Sequence, residues 1–294
     1  MPELPDIAVY LERLDAFIMG EPLGAIELYN PFVLRSVDPP IASAAGRRVT
    51  TLRRLGKRIV IGLEDEQFLV IHLMIAGRLR WRPPGKKIAG KLALAKFDFP
   101  RGALFLTEAG TTRRASLHLV AGADRLVAFD RGGLDVLADD RTAFSTRLRS
   151  ENHTLKRALT DPRLFSGIGN SYSDEILHRA RLSPLMLSTR ITDPEVATLH
   201  DAVRAVLTEW TERLRAEVGD GFPEHVTAFR EGMAVHGRFR LPCPDCGTPV
   251  QRIRYATNET NYCARCQTGG KLLADRAMSR LLKADWPKSI DETD

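Results

Sequence analysis

Apolar residues at Leu4, Ile7, Leu11, Leu14 and Ile18 recur near a 3.6-residue period and predict a helix over 4–18. From about residue 23 to 130 the pattern changes. Val49, Ile59-Val60-Ile61, Phe68-Leu69-Val70-Ile71 and Leu104-Phe105-Leu106 are short β-rich runs. Gly56, Glu64-Asp65-Glu66, Pro83-Pro84-Gly85 and Gly110 separate them. Short strands with frequent turn formers predict an antiparallel sandwich or barrel. Arg131-Gly132-Gly133 reads as the exit from this region, and residues 139–218 read as helical. The strongest helix is expected over 193–218. It opens with Asp193-Pro194-Glu195 as a cap and first turn, and carries Val196, Leu199, Val203, Val206, Leu207, Trp210 and Leu214 on one face. Glycine interrupts 219–240, which is expected to be a loop. A compact cysteine-bearing segment follows over 241–270. Leu272, Leu273, Ala277, Leu281 and Leu282 then predict a short amphipathic helix. There is no internal repeat and no low-complexity segment.

A chain of 294 residues with 44% hydrophobic and 27% charged residues can bury a sizeable core, which argues against disorder. Its length suits about two domains. No apolar run approaches the roughly 20 residues that span a bilayer. Met1-Pro2-Glu3-Leu4-Pro5-Asp6 lacks the basic and apolar regions of a secretory signal. The expectation is a cytoplasmic or nucleoid protein with no membrane partner. Lysine and arginine number 43 against 37 acids, for a net charge of +6. Two runs hold no acid: Arg47, Arg48, Arg53, Arg54, Lys57 and Arg58, then Arg78, Arg80, Arg82, Lys86, Lys87, Lys91 and Lys96. The tail ends in Asp291, Glu292 and Asp294. This asymmetry fits a polyanion partner, and it equally fits a solvated basic face.

All 4 cysteines form two Cys-x-x-Cys pairs, Cys243/Cys246 and Cys263/Cys266, with 16 residues between them. Closely spaced thiolates fit adjacent vertices of a tetrahedron, and an intervening hairpin can bring the pairs together. Four thiolates leave no open position, so one structural zinc is expected. At the other end, removal of Met1 would expose the secondary amine of Pro2. Attack of that amine on a sugar C1′ would give an iminium that is cationic without a proton, an electron sink that activates the C2′ hydrogen. Glu3 beside it could transfer protons. Met-Pro also begins many proteins with no such role.

These segments together resemble the formamidopyrimidine-DNA glycosylase / endonuclease VIII family of base-excision repair enzymes. Four matches occur in order: the Met1–Asp6 start, Lys57 in Leu55-Gly56-Lys57-Arg58, Gly167-Ile168-Gly169-Asn170-Ser171-Tyr172-Ser173-Asp174-Glu175, and the terminal four-cysteine finger. The resemblance covers about residues 1–270. It implies an α+β multidomain fold: an N-terminal antiparallel β-sandwich with flanking helices over 1–133, a helix–two-turn–helix domain over 139–240, and a zinc finger over 241–270. The tail 271–294 extends beyond the family's usual end. The implied activity is that of a DNA glycosylase with AP-lyase activity acting as a monomer on damaged DNA. It would excise bases through a proline Schiff base and cleave the strand by β/δ-elimination. Carried over by position, Pro2 is the nucleophile, Glu3 the proton-transfer group and Lys57 a phosphate-holding lysine at the lesion. Lys156 and Asn170 look like phosphate ligands of the helical domain. Lys57 as a solvated strand lysine and Asn170 as a simple helix cap are the plainer alternatives.

Three positions depart from the family pattern. Where the finger usually carries a phosphate-gripping arginine, this chain has Asn258, beside Glu259. The family fills the gap left by an extruded base with a methionine, an arginine and often a phenylalanine. The matching residues here are Ile75, Arg113 and Ala115. A weaker wedge leaves more of the unstacking cost, a few kcal/mol, uncompensated. Lesions that are less stacked, or in single strands, are therefore expected to be favoured over oxidised purines in duplex. A non-catalytic damaged-DNA binding protein of the same fold, and a general zinc-ribbon nucleic-acid module, are the competing readings.

Overall fold

The computed structural model describes every residue except 87, 89–91, 111, 257, 276–278, 280, 284–286, 293 and 294. Lys87, Lys91 and Asp294 of the charged runs lie outside the described residues. So does Ala277, with part of the helix expected over 271–282. Two compact units emerge. One comprises Met1–Arg131 and Trp210–Thr227, the other Gly132–Glu209 and Ala228–Asp294.

The first unit begins with helix α1 (Leu4–Ile18), where the periodicity placed it. Eight strands follow: β1 (Ile26–Leu28), β2 (Val49–Leu55), β3 (Arg58–Leu63), β4 (Gln67–His72), β5 (Gly77–Arg82), β6 (Ala93–Phe99), β7 (Gly102–Glu108) and β8 (Ser116–Ala121). They form two antiparallel four-stranded sheets, in the orders β1-β6-β7-β5 and β2-β3-β4-β8. The expected sandwich is what forms. Alternation along the strands puts Ile59, Ile61, Leu69, Ile71, Leu104, Leu106, Leu117 and Leu119 into one core with Ile7, Tyr10, Leu14 and Ile18 of α1. A second apolar layer, Val60, Val70 and Leu126 with Phe129, covers the outer face of the β2-β3-β4-β8 sheet.

In the second unit lie α2 (Arg141–Arg149), α3 (Leu155–Thr160), α4 (Asn170–Arg179) and the first part of α5 (Asp193–Val218), then β9 (Gln251–Arg254), β10 (Glu259–Tyr262) and α6 (Ala264–Thr268). Helix α5 has the expected span, but its cap differs. Asp193 is already helical. Thr192 caps instead, its N–H donating to Glu195 at 2.8 Å while the Glu195 N–H donates to its hydroxyl at 3.4 Å. The tail does not stand apart. Leu272 N–H donates to Lys288 O and Ile290 N–H to Gly270 O, so Leu272 and Ile290 join Ile253, Tyr262 and Ala264 in one small core.

Many charges in the two basic runs are held within the protein. Arg47 meets Asp65 at 3.2 Å, and Arg54 and Arg58 donate to the carbonyls of Gly56 and Phe129. Arg78, Arg80 and Arg82 alternate along β5 and so share a face. The segment after α5 meets that face. Glu224 accepts from Arg82 at 2.8 and 3.2 Å and lies 3.5 Å from Arg80, and Val226 O accepts from Arg78 at 2.5 Å. Lys96 sits between Glu27 and Asp98, 2.9 Å from each. The density of cations in the sequence therefore overstates what these runs offer to a polyanion.

The core makes a direct prediction. Leu104 is fully buried between the sheets. Leu104→Ala should cost about 3 kcal/mol of stability through lost transfer energy and the cavity left behind. Chemical denaturation reads this. A loss below about 1 kcal/mol would mean that the core closes over the gap.

Candidate functional site

Three groups of chemistry-bearing residues stand out, one in the first unit and two in the second. The first lies at the start of α1. Pro2, Glu3 and Asp6 are buried, and the Asp6 carboxylate accepts the Glu3 N–H at 2.8 Å. This turn tethers the chain start to a helix whose apolar face is wholly in the core. The α-amino group at Met1 is held below its usual pKa of 8.0, chiefly by burial. Arg78 and Lys57 lower it further, while Glu3 and Asp6 act in the opposite direction. Glu3 and Lys57 thus both act on the charge of the Met1 amine.

Lys57 is not a strand lysine. It sits in the turn between β2 and β3, after Gly56, whose φ of 62° suits glycine. His72, at the end of β4, belongs to the same neighbourhood. It lies opposite Arg58 on one side and Ser116 on the other. Its pKa is pushed down to about 4 by burial and then by Arg58, Lys57 and His118. Near neutral pH the ring is therefore uncharged, with one nitrogen able to donate and the other to accept. Sequence reasoning passed over His72, because a single histidine in an apolar strand reads as core. Its place next to the turn that carries Ile75 was the available signal.

That turn joins β4 to β5. Met74 has φ 54°, and a Cβ at Gly77 would lie 2.2 Å from Leu73 O. Ile75 is consequently presented outward, with 59% of its surface exposed. Arg113 lies in the β7–β8 connection. The buried Glu108 carboxylate accepts the N–H groups of Arg114 at 2.9 and 3.0 Å and of Ala115 at 3.0 Å. Ala115 itself is 3% exposed and packs in the sandwich core. Position 115 therefore points inward, and the expectation of a gap-facing residue there is corrected.

The second group gathers Lys156 and Asn170. Asn170 is not a helix cap: Gly169 is, and Asn170 is the first residue of α4. Its side-chain amide donates to Glu259 O at 3.0 Å, and its carbonyl accepts from Lys156 Nζ at 2.6 Å. Lys156 is 8% exposed and also pairs with Asp174 at 2.5 Å. The other Asp174 oxygen meets His236 Nδ1 at 2.7 Å. Glu175 accepts the N–H groups of Ala234, Val235 and His236. The structure brings the two expected phosphate ligands together, with Lys156 already engaged by a carboxylate. Asn258 is exposed in the turn between β9 and β10, where Tyr255 N–H donates to its carbonyl at 2.8 Å.

The third group is the finger. The sulfurs of Cys243, Cys246, Cys263 and Cys266 all lie within 4.8 Å of one another. Two of the separations are 3.9 and 3.4 Å. A tetrahedral zinc with Zn–S bonds of about 2.3 Å needs sulfurs about 3.8 Å apart. The site fits one structural zinc, and His178 Nε2, 3.3 Å from Cys243 Sγ, backs it from α4. No helix among the described residues is long and apolar enough to cross a membrane.

Three family models match along the chain. The formamidopyrimidine-DNA glycosylase N-terminal domain covers residues 1–115, the formamidopyrimidine-DNA glycosylase H2TH domain covers 133–218, and a zinc finger found in FPG and IleRS covers 240–269. A formamidopyrimidine-DNA glycosylase of Thermus thermophilus is 34% identical over 283 residues, spanning 92% of this chain and 100% of that one. The crystal structure of the MutM (Fpg) protein of Thermus thermophilus superposes with a TM-score of 0.75 at 31% identity, over 90% of this chain and 98% of that one. A complex between the Lactococcus lactis Fpg and DNA containing an abasic site superposes at 0.78 with 22% identity, over 90% and 99% of the two chains, and shares the fold. With three family models in order, and a relative this similar along its whole length, the chain belongs to the formamidopyrimidine-DNA glycosylase family.

Proposed function

We propose that this protein is a DNA glycosylase with AP-lyase activity that uses the Pro2 amine as nucleophile once Met1 is removed. The observation that carries the proposal is the buried chain start, with Pro2 and Glu3 removed from water at the N-terminus of α1 and the Asp6 carboxylate holding the Glu3 N–H. The neutral form of a secondary amine is a nucleophile. Its attack on C1′ displaces the damaged base, which leaves with a proton. The C1′–O4′ bond then opens, O4′ taking a proton, and the resulting iminium acidifies the C2′ hydrogen. Loss of that proton expels the 3′-phosphate, and a second elimination expels the 5′-phosphate. Glu3 is assigned the proton transfers. Lys57 is assigned to the phosphate at the lesion, with His72 as a neutral donor beside it. Lys156, Asn170 and Asn258 are assigned to phosphates elsewhere on the strand, and Ile75 with Arg113 to the space left by the base.

We assign residues 1–133 to the catalytic domain, 139–240 to the DNA-binding helical domain and 241–270 to the finger. Zinc at Cys243, Cys246, Cys263 and Cys266 holds the finger and takes no part in the chemistry. The protein is read as a cytoplasmic monomer acting on damaged DNA. A non-catalytic binding protein is the competing reading, favoured by the uncharged Asn258. Borohydride reduction on an abasic duplex separates the two, because only an enzyme that forms an imine yields a covalent band.

Glu3→Gln keeps the side-chain size and removes proton transfer. Base excision should fall by about 10²-fold or more while DNA binding is retained. Unchanged excision removes Glu3 from the mechanism. Elemental analysis should find one zinc per chain. Cys246→Ser should lose it and weaken DNA binding while the sandwich stays folded, since metal binding and folding of such fingers are coupled. Metal-free wild-type protein that binds DNA normally would contradict this.

Duplex 8-oxoguanine should be excised more slowly than abasic sites are cleaved. Asn258 brings no charge to a phosphate and position 115 is buried, so less of the cost of extruding a paired purine is offset. Asn258→Arg should raise duplex excision more than abasic cleavage. Equal wild-type rates on the two substrates would show that these departures are compensated elsewhere.

A further inference from the structure

Helix α4 is docked on the finger along its length. Asn170, Asp174 and His178 follow one another at intervals of four, with Glu175 beside them, and so share one side of the helix. Each meets the finger or the chain that leads into it. The Asn170 amide donates to Glu259 O of β10 at 3.0 Å. Asp174 meets His236 at 2.7 Å, and Glu175 accepts the N–H groups of Ala234, Val235 and His236. His178 differs in what it touches. Its Nε2 lies 3.3 Å from Cys243 Sγ, within hydrogen-bond reach of a sulfur. His178 is 3% exposed and Cys243 2%, so water has little access to this contact. The Asp245 carboxylate is farther from Nε2, at 4.0 Å, and is largely open to solvent.

We propose that His178 is a positioning residue for the metal centre: its Nε2–H donates to the Cys243 sulfur, so that zinc binding and the docking of α4 on the finger support each other. A thiolate that ligates zinc has no proton to give, so the proton in this contact is on Nε2. Four thiolates around one divalent ion form a cluster of net negative charge. A hydrogen bond to such a sulfur is charge-assisted, and burial strengthens it. The bond withdraws charge from the sulfur and fixes the direction in which Cys243 presents it to the metal. The helix that supplies this donor begins at Asn170, whose amide holds the backbone of β10. Loss of the metal therefore removes one of the contacts that set α4 against the finger. This inference rests on the zinc site alone and stands apart from the reading of Pro2 as nucleophile.

Two substitutions separate the hydrogen bond from packing. His178→Phe keeps a flat ring and removes the donor. His178→Gln loses the ring but places an amide N–H about as far along the side chain as the histidine Nε2. Zinc affinity is read on the full-length protein by competition with a chromogenic chelator. The state of the sulfurs is read from the thiolate-to-metal charge-transfer band after cobalt replaces zinc. The Phe variant should bind zinc at least about tenfold more weakly. Its band should move to longer wavelength, because a sulfur without the hydrogen bond gives up an electron more easily. The Gln variant should lie near wild type in both. Thermal melts establish folding, and His178→Leu replaces the Phe variant if that one does not fold. Wild-type zinc affinity in the variant without a donor would overturn the proposal. So would weaker affinity with an unmoved band, the mark of packing alone, and so would a Gln variant as impaired as the Phe one. A wild-type cobalt spectrum that shows nitrogen ligation would also overturn it, since His178 would then be a ligand itself. Wild-type protein that binds no zinc removes the metal site and this inference together, and leaves the assignment of Pro2 untouched.

Discussion

Burial of one face of α1 is the constraint on which the candidate active site depends. Ile7, Tyr10, Leu14 and Ile18 are fully removed from water among residues of both sheets. Each such side chain is worth roughly 1.5–3 kcal/mol against exposure, so the helix cannot shift without a large loss. The chain start is therefore fixed by a core element although it precedes the first helical turn. The hydroxyl of Tyr10 extends this control to β5, and β5 carries Arg78 and leads out of the Ile75 turn. The Met1 amine is held below its usual pKa chiefly by burial beside this packing.

Buried carboxylates perform a second organising task. Backbone N–H groups outside helices and strands need acceptors when they are removed from water. Glu108 supplies them for Arg114 and Ala115, and Glu175 for Ala234, Val235 and His236. Asp6 does the same for Glu3. Glu108 thereby orders the connection that carries Arg113, and Asp6 the chain start. Asp174 acts differently: by accepting from Lys156 and meeting His236, it holds the lysine in place and offsets part of its charge. A phosphate arriving at Lys156 would share that cation with Asp174, which tempers the attraction and leaves geometry to determine the contact.

Several features were legible in the chain itself. The spans of α1 and α5 followed from apolar periodicity, because each helix buries a single stripe. Short β-rich runs between turn formers pointed to an antiparallel sandwich or barrel, and the family resemblance chose the sandwich. The zinc site followed from thiolate spacing, because four ligands within two tight turns leave the metal few other geometries. The Gly167–Glu175 segment was recognisable as a unit, and Gly167, at φ 89°, makes the turn that precedes α4.

Other features were decided by tertiary structure, since they depend on which distant groups become neighbours. The basic runs fitted a polyanion surface and a solvated face equally, yet Glu224 and the carbonyl of Val226, nearly 150 positions along the chain, engage the arginines of β5. His72 gave no sign of its setting in the sequence; burial and the charges of Arg58, Lys57 and His118 lower its pKa in the fold. Position 115 matches a wedge position of the family pattern but lies in the core, where Glu108 accepts its N–H. The tail read as an appendage, yet Leu272 and Ile290 complete the core of the finger. Local pattern determines which residues form helices, strands and metal ligands, because those choices are made by neighbours in sequence. Charge pairing, pKa and the direction a loop residue faces are set by long-range packing, and there the sequence alone named the residues without assigning their partners.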